Sequence, residues 1–531
     1  MRRHLPFIIV IVLWLSTTSA VMAGMPWWPS LALLVLVLIG SWDLLQRKHS
    51  LYRNYPLTGH FRNIAEEMRT QIRQYFIESN TDGTPFDREQ RSLVYQRAKN
   101  VVDTVPFGTE RRVTEVGYEW INHSIAPRPK PVEAPRTKIG NSQCTRPYSS
   151  SVLNISAMSF GSLSAAAIRA LNRGARLDNF AHDTGEGGLS DYHLEGGGDI
   201  VWEIGTGYFG CRNSVGRFDA ERFKARASAD VVKMVEIKLS QGAKPGHGGI
   251  LPGRKVTAEI ARVRGVPEGE DCISPPYHQE FDSPKGLLEF VARLRELSGG
   301  KPAGFKLCIG HKWEFLGICK AMLATGIYPD FIVIDGKEGG TGAAPVEFAD
   351  HVGMPRRDAL WFAQNALVGC GIRDRLKLGV SGKIISGFDI AVAMAMGADW
   401  CNSARGFMFA LGCLQSLKCH TNHCPVGIAT QDPMRQRALD VDDKATRVAN
   451  FHRHTVSALM ELVAAAGLDH PSELRPQHIN RRTSSRAVAT LDRAYEWLAP
   501  RQLVEDRAPP EWQSAWHVAS ADSFRPTVPL I

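Results

Sequence analysis

Residues 304–335 read GFKLCIGHKWEFLGICKAMLATGIYPDFIVID, and two periodicities stand side by side in that stretch. Residues 304–310 and 330–335 are short, largely apolar runs of strand length, whereas residues 313–325 repeat apolar side chains at helical spacing. A strand, a helix and a second strand in succession are the sequence form of a parallel βαβ unit. Outward from it the alternation continues. Strands are predicted over 152–156, 179–183, 199–205, 234–240, 304–310, 330–335, 377–381 and 399–404, with helical runs over 164–177, 313–325, 356–368 and 388–396. Eight parallel units in about 260 residues fit a (β/α)8 TIM barrel, an α/β fold for which a doubly wound open sheet is the alternative. In a barrel the chemistry sits in the loops leaving the C-terminal strand ends, and the glycine-dense segments 159–162, 184–188, 240–253, 335–345 and 381–387 fall there.

Two apolar runs come first, residues 5–23 and, after Gly24-Met25-Pro26, a second reaching Leu45. Each is close to the roughly 20 residues that cross a bilayer core. Arg2, Arg3 and His4 precede the first run, Arg47, Lys48 and Arg53 follow the second, and the uncharged turn between them carries Trp27 and Trp28. Basic flanks stay inside and Trp favours the interface, so the expectation is a two-helix transmembrane hairpin with both ends cytoplasmic. A signal peptide cut after Val21-Met22-Ala23 is the alternative, and it leads to the same place, because the second run would still cross inward. Residues 50–531 are thus expected to form a membrane-anchored cytoplasmic domain. Residues 51–100 are polar and helix-patterned, and the proline-rich stretch 126–132 marks the entry to the main domain. The expected division is a hairpin over 1–49, a helical connector over 50–139, the barrel with its cysteine loop over 140–445, and a helical extension and tail over 446–531.

The 531 residues carry 63 Lys+Arg against 54 Asp+Glu, a net charge of +9, with 44% hydrophobic and 22% charged residues. These ordinary values exclude disorder, collagen and coiled coil for the whole chain. The basic excess is spread without a run of five or six like charges, so no nucleic-acid partner is expected and a membrane surface suits it better. Ten cysteines are scattered except for the last three, which is no disulfide framework.

Those last three, Cys413, Cys419 and Cys424, form a C-x5-C-x4-C-P pattern with Pro425 inside 13 residues. Thiolates in a short loop suit an iron–sulfur cluster, and three of them leave a fourth iron without its thiolate, which favours a three-iron cluster. Zinc with His420 or His423 as fourth ligand, and three reduced structural cysteines, stay open as alternatives. The loops after the seventh and eighth strands hold Ser381, Gly382 and Gly387, and Ser403, Ala404 and Arg405. Barrels commonly bind phosphate there through backbone N–H groups, with an arginine as counter-charge, which points to a phosphate-tailed cofactor such as FMN; glycines that merely turn the chain are the bland alternative. Lys238 and Lys306 interrupt apolar strand runs. An unpaired ammonium inside a barrel is costly, so these are read as functional, facing a flavin, against the alternative of solvent-exposed strand ends. The connection from Gln241 through Lys244, His247, Arg254 and Lys255 to His278 has the length of a lid or binding loop, and its cations suit a dicarboxylate; a solvated basic loop is the alternative.

Taken together these segments resemble the FMN-binding synthase domain of the glutamate synthase family. The matching stretches are SAMSFGSLS at 156–164, TGEGG at 184–188, KLSQGAKPG at 238–246, DGKEGGTGAAP at 335–345, and 412–431 with its three cysteines, in the family's order. The resemblance implies a barrel holding FMN and a [3Fe-4S] cluster on Cys413, Cys419 and Cys424. It implies FMN contacts from Ala157, Met158, Ser159, Lys306, Gly339, Gly340, Ser381, Gly382, Gly387, Ser403, Ala404 and Arg405. The implied reaction reduces the imine of 2-oxoglutarate and ammonia to L-glutamate, with Gln241, Lys244 and Lys306 expected to hold the 2-oxo acid. The cluster would relay electrons from a ferredoxin or a reductase.

Three departures from the family pattern stand out. Full-length members begin with a glutaminase domain, where an apolar hairpin stands here, so nitrogen is expected from ammonia, an amine or a separate amidotransferase. The family's Pro-Gly-Glu-Gly-Gly reads Pro245-Gly246-His247-Gly248-Gly249, which leaves room for another 2-oxo acid, amine or amino acid. No second Gly-rich strand–turn–helix unit for NAD(P)H is seen. A membrane-anchored electron-transfer subunit without 2-oxo acid chemistry is the reading from another class.

Overall fold

The computed structural model describes residues 2–528, which fall into two compact units, one up to Arg88 and one from Glu89 onward. In the first, the helices Leu5–Met22 and Trp28–Leu45 have 18 residues each. Phe7 packs on Gly40 and the Thr18 and Ser30 hydroxyls share a 2.7 Å hydrogen bond, so the two helices run antiparallel. At 1.5 Å per residue each is about 27 Å long, and each is long and apolar enough to cross a bilayer. The helix His60–Ile72 follows and continues as a π-helical turn, Arg73–Ile77.

The second unit is built on eight parallel strands: β1 (Leu153–Ile155), β2 (Ala181–Asp183), β3 (Asp199–Ile204), β4 (Val232–Lys238), β5 (Ala303–Leu307), β6 (Phe331–Asp335), β7 (Lys377–Ser381) and β8 (Trp400–Ser403). Each pairs with its neighbours in sequence, and β8 closes on β1, which settles the barrel against an open sheet. All eight lie where the apolar runs place them. The fifth ends early, at Leu307, because the Cys308 N–H turns out of the ladder to the Ser240 hydroxyl, 2.9 Å away.

Helices Ala165–Leu177, Lys312–Thr325, Arg356–Gly369 and Gly387–Ala395 match the predicted helical runs. The eighth helical position is filled by Val441–Ala465, which lies against Ala165–Leu177 so closely that a Cβ on Gly174 would stand 2.3 Å from Val448. The expected domain boundary after residue 445 therefore falls inside this helix, since the barrel needs it to cover β8 and β1. The cysteine loop is an insertion between β8 and this helix. The expected helical connector also differs: its last helix, Arg88–Lys99, is followed by irregular chain, as Pro106, Gly108, Pro127, Pro129 and Pro131 require. Strand Glu119–Ile121 there pairs with Ile479–Arg482.

The barrel interior changes character along its axis. At the N-terminal end Ala181, Val201, Met234, Phe331, Val333 and Trp400 form an apolar layer, plugged by Ile139 and Tyr148 of the hairpin Arg136–Ile139 and Tyr148–Ser151. One layer nearer the C-terminal mouth, inward positions of β2 to β5 carry Asp183, Glu203, Glu236 and Lys306, all buried.

Candidate active site at the mouth of the barrel

Closure of the barrel brings these four charged residues together. Glu203 and Glu236 are register partners on β3 and β4. The Lys306 ammonium pairs with Glu203, lies 3.2 Å from Glu236 and 4.0 Å from Asp183. It takes the place a cation would occupy, since the three carboxylates gather within 4.8 Å of one another. Burial alone would lower the Lys306 pKa, but Glu203, Glu236, Asp183 and Asp335 hold it well above the usual lysine range. Burial pushes Glu236 up to about 7, with Glu203 adding and Lys306 opposing, and raises Asp183 well above the ordinary carboxylate range. Three acids around one ammonium carry more negative charge than it balances, and a low-dielectric interior answers by retaining protons.

Above this layer the loops after β1, β2, β4, β6 and β8 enclose a cavity. Of the expected contacts, Ala157, Met158, Ser159, Gln241, Lys244, Gly340, Ala404 and Arg405 line it. Lys306 stands one layer below, although Glu203, which pairs with it, reaches the wall. The expected lysine facing a flavin is thus a lysine held by carboxylates. Gly339, Ser381, Gly382 and Ser403 support the rim. Asp335 accepts from the Ser381 hydroxyl and, at 2.7 Å, from the Gly242 N–H. Gly242 lies so close to the β6 loop that a Cβ would stand 1.8 Å from the Gly336 carbonyl. Gly382, at φ 124°, turns its carbonyl to Arg356. Gly387 belongs elsewhere: a Cβ there would meet the Leu459 backbone at 2.6 Å, so its smallness serves packing on the Val441–Ala465 helix.

The structure adds residues that the sequence reading missed. Glu186 accepts from Lys238 at 2.7 Å, and Lys238 also donates to the Gln241 carbonyl at 3.0 Å. Burial works against the Glu186 charge, but Lys238, Lys244 and Arg264 overcome it and bring the carboxyl down to about 2. Arg264, at the end of the helix Ala258–Arg264, donates to the Phe160 carbonyl at 3.0 Å and lies over the Phe209 ring, while its Nε finds no partner. Burial lowers the Lys244 pKa, Lys238 adds to that and Glu186 opposes. Around Glu186, three cations face one carboxylate, an excess of two positive charges. The other basic residues of the long loop serve the scaffold: Lys255 donates to the Ser162 and Cys419 carbonyls, and Arg254 to the His420 carbonyl. His247 stands in a side chamber lined by Glu186, Lys238 and Gln241, edge-on to Phe348.

Cys419 reaches the cavity wall, with Cys413 and Cys424 buried behind it. The loop is pinned at both ends. Tyr95 donates to the Cys413 carbonyl at 2.6 Å, and the Gln431 amide donates to the Gly161 and Leu163 carbonyls of the β1 loop. Burial, aided by the other two thiols, pushes the Cys413 thiol up to about 11. His420 and His423 are both exposed, and His420 lines the cavity beside Cys419.

A closed barrel with a charged cavity at its C-terminal mouth defines an α/β domain of enzyme type. A family model described as the conserved region in glutamate synthase matches residues 128–469, and the chain belongs to the glutamate synthase family. It is a glutamate synthase-like oxidoreductase. It is 38% identical over 491 residues to the glutamate synthase large subunit-like protein YerD of Bacillus subtilis, covering 85% of this chain and 93% of that one. It is 37% identical over 322 residues to the archaeal glutamate synthase [NADPH] of Methanocaldococcus jannaschii, covering 60% of each. A solved structure of mandelate oxidase with benzoyl-formic acid aligns over 75% of this chain and 98% of that one at 14% identity, with a TM-score of 0.42.

Proposed function

We propose that this protein is a membrane-anchored FMN and iron–sulfur enzyme that reduces 2-iminoglutarate, formed from 2-oxoglutarate and ammonia, to L-glutamate. One observation carries the substrate class: Lys238, Lys244 and Arg264 around a single ionised Glu186 leave an excess of two positive charges at that part of the cavity wall, which matches a dicarboxylate. Lys244 and Arg264 would take the carboxylates. Gln241, accepting from Lys238 through Oε1, has its amide N–H groups to offer the 2-oxo or imino end. Glu186 holds Lys238 in place and, as an anion beside the imine nitrogen, favours its protonated, more electrophilic form.

FMN would lie against Ala157, Met158, Ser159, Gly340, Ala404 and Arg405, and a [3Fe-4S] cluster on Cys413, Cys419 and Cys424; when bound, they supply hydride and single-electron transfer from a ferredoxin or reductase. The Gln431 bridge to the Gly161 and Leu163 carbonyls holds the cysteine loop against the β1 loop, which would keep the two groups at a set spacing. The helices Leu5–Met22 and Trp28–Leu45 would be the anchor, with the catalytic unit cytoplasmic.

The test is an anaerobic titration of the dithionite-reduced protein. Addition of 2-oxoglutarate with ammonia should restore the oxidised flavin band and release L-glutamate in equal amount. Reoxidation by a quinone or partner protein alone would refute the proposal. A second reading, action on another 2-oxo acid, amine or amino acid, is favoured by His247 in the side chamber, and the same titration with other acids separates the two.

A further inference from the structure

The segment that follows the apolar hairpin carries a surface that the reading so far leaves unused. In the helix His60–Ile72 and its continuation Arg73–Ile77, the large apolar residues are Phe61, Ile64, Met68, Ile72, Tyr75, Phe76 and Ile77. Phe61, Ile64, Met68 and Ile72 fall on one stripe of the 3.6-residue helix, and the π-helical turn carries Tyr75, Phe76 and Ile77 on from its end. They are 37–85% exposed, where a soluble helix would bury such a stripe. Arg62, Arg69 and Arg73 line one edge of it at helical spacing, Arg69 pairing with Glu66 at 3.6 Å and Arg73 with Glu78 at 2.9 Å, and Glu66 and Thr70 lie away from the stripe.

The start of this helix is fixed to the end of the second apolar helix. Asp43, in the last turn of Trp28–Leu45, is 1% exposed. Its carboxylate accepts from the Leu57 N–H at 2.9 Å and pairs with His60 at 2.9 Å, and Tyr52 stacks on the His60 ring at 4.0 Å. A buried carboxylate near the end of a membrane span needs partners, and these two tie residue 60 to the level at which the span leaves the hydrocarbon. The basic flank Arg47, Lys48 and Arg53 emerges at the same level.

We propose that residues 60–77 are a membrane-surface helix. It lies in the lipid interface on the side where the hairpin's C-terminal end emerges, with the stripe in the acyl boundary and Arg62, Arg69 and Arg73 reaching anionic headgroup phosphates. This rests on the hairpin being a membrane anchor. It adds a second membrane contact, made by the linker itself, to that of the two apolar helices.

The test uses the full chain reconstituted in vesicles of phosphatidylcholine and phosphatidylglycerol. Photoreactive p-benzoylphenylalanine replaces Phe61, Met68 or Phe76 on the stripe and its continuation, Glu66 or Thr70 away from both, and Leu15 or Leu38 in the hairpin. Lipid adducts should form at the stripe and hairpin positions and be lost at Glu66 and Thr70. Protein adducts at the stripe, in place of lipid, would overturn the proposal in favour of a protein partner. Lipid adducts at Leu15 and Leu38 with none at the stripe would overturn it and leave the anchor standing. Their absence at all these positions would remove the anchor as well. Adducts at Glu66 and Thr70 equal to those at the stripe would mean immersion rather than a surface helix, and would also overturn it.

Discussion

Replacing Lys306 by Met keeps the volume of the buried side chain and removes the one ammonium among Asp183, Glu203 and Glu236. Glu236 already sits at about 7 with the lysine present, and Asp183 lies well above its ordinary range. Taking the cation away raises both further, and each added unit costs about 1.4 kcal/mol at a pH where the acid would otherwise ionise. The loss should come within the roughly 3–5 kcal/mol expected when one partner of a buried ion pair is removed. The sign follows from proton linkage. An acid whose folded pKa exceeds its unfolded value binds more protons in the folded state, so its contribution is intact below the unfolded pKa and is lost as pH rises towards the folded one. The Lys306→Met penalty should therefore be smaller near pH 5 than near pH 8. Thermal midpoints of wild type and variant, followed by circular dichroism at both pH values, measure it. Adding Glu203→Gln should recover part of the loss at the higher pH. A penalty of equal size at both pH values would refute the charged-layer account and leave only a packing defect.

Lys244→Met should weaken binding of a 2-oxo dicarboxylate by ~2 kcal/mol, about thirtyfold, and weaken a 2-oxo monocarboxylate less, because it removes one of the two unbalanced charges. An unchanged preference between the two acids, measured by their competition in the flavin titration, would contradict the charge-matching account. Cys419→Ser should leave the purified protein with little iron while the barrel still melts as in wild type; a full iron complement would exclude Cys419 as a ligand.

The barrel was legible in the sequence because each strand is buried on both faces and so reads as a short apolar run, bounded by Gly, Pro or Asp. The charged layer was less so. Asp183, Glu203, Glu236 and Lys306 come from four strands spanning more than a hundred residues, and only barrel closure puts them side by side. A signal was present all the same: each is a charge at an inward position, two residues along from Ala181, Val201, Met234 or Gly304. Lys306 alone was singled out, and its partners were there to be found by the same rule.

The basic residues of the loop after β4 show where sequence reasoning stops. Lys244, Arg254 and Lys255 look alike in sequence, and Arg264 stands apart from them in a helix. In the structure Arg254 and Lys255 spend their N–H groups on the carbonyls of residues 162, 419 and 420, fastening the cysteine loop to the barrel mouth. Arg264 keeps one donor unmatched and turns its charge on Glu186. What separates the two pairs is where their acceptors lie: Arg254 and Lys255 donate to the cysteine loop, whereas Lys244 donates to the Gly248 carbonyl of its own loop and, like Arg264, acts on Glu186. That placement depends on loops more than a hundred residues apart in the chain, since Lys255 finds one acceptor on the β1 side and another beyond β8. Neutralising Lys255 should accordingly loosen the cysteine loop before it affects the 2-oxo acid, whereas neutralising Lys244 should do the reverse.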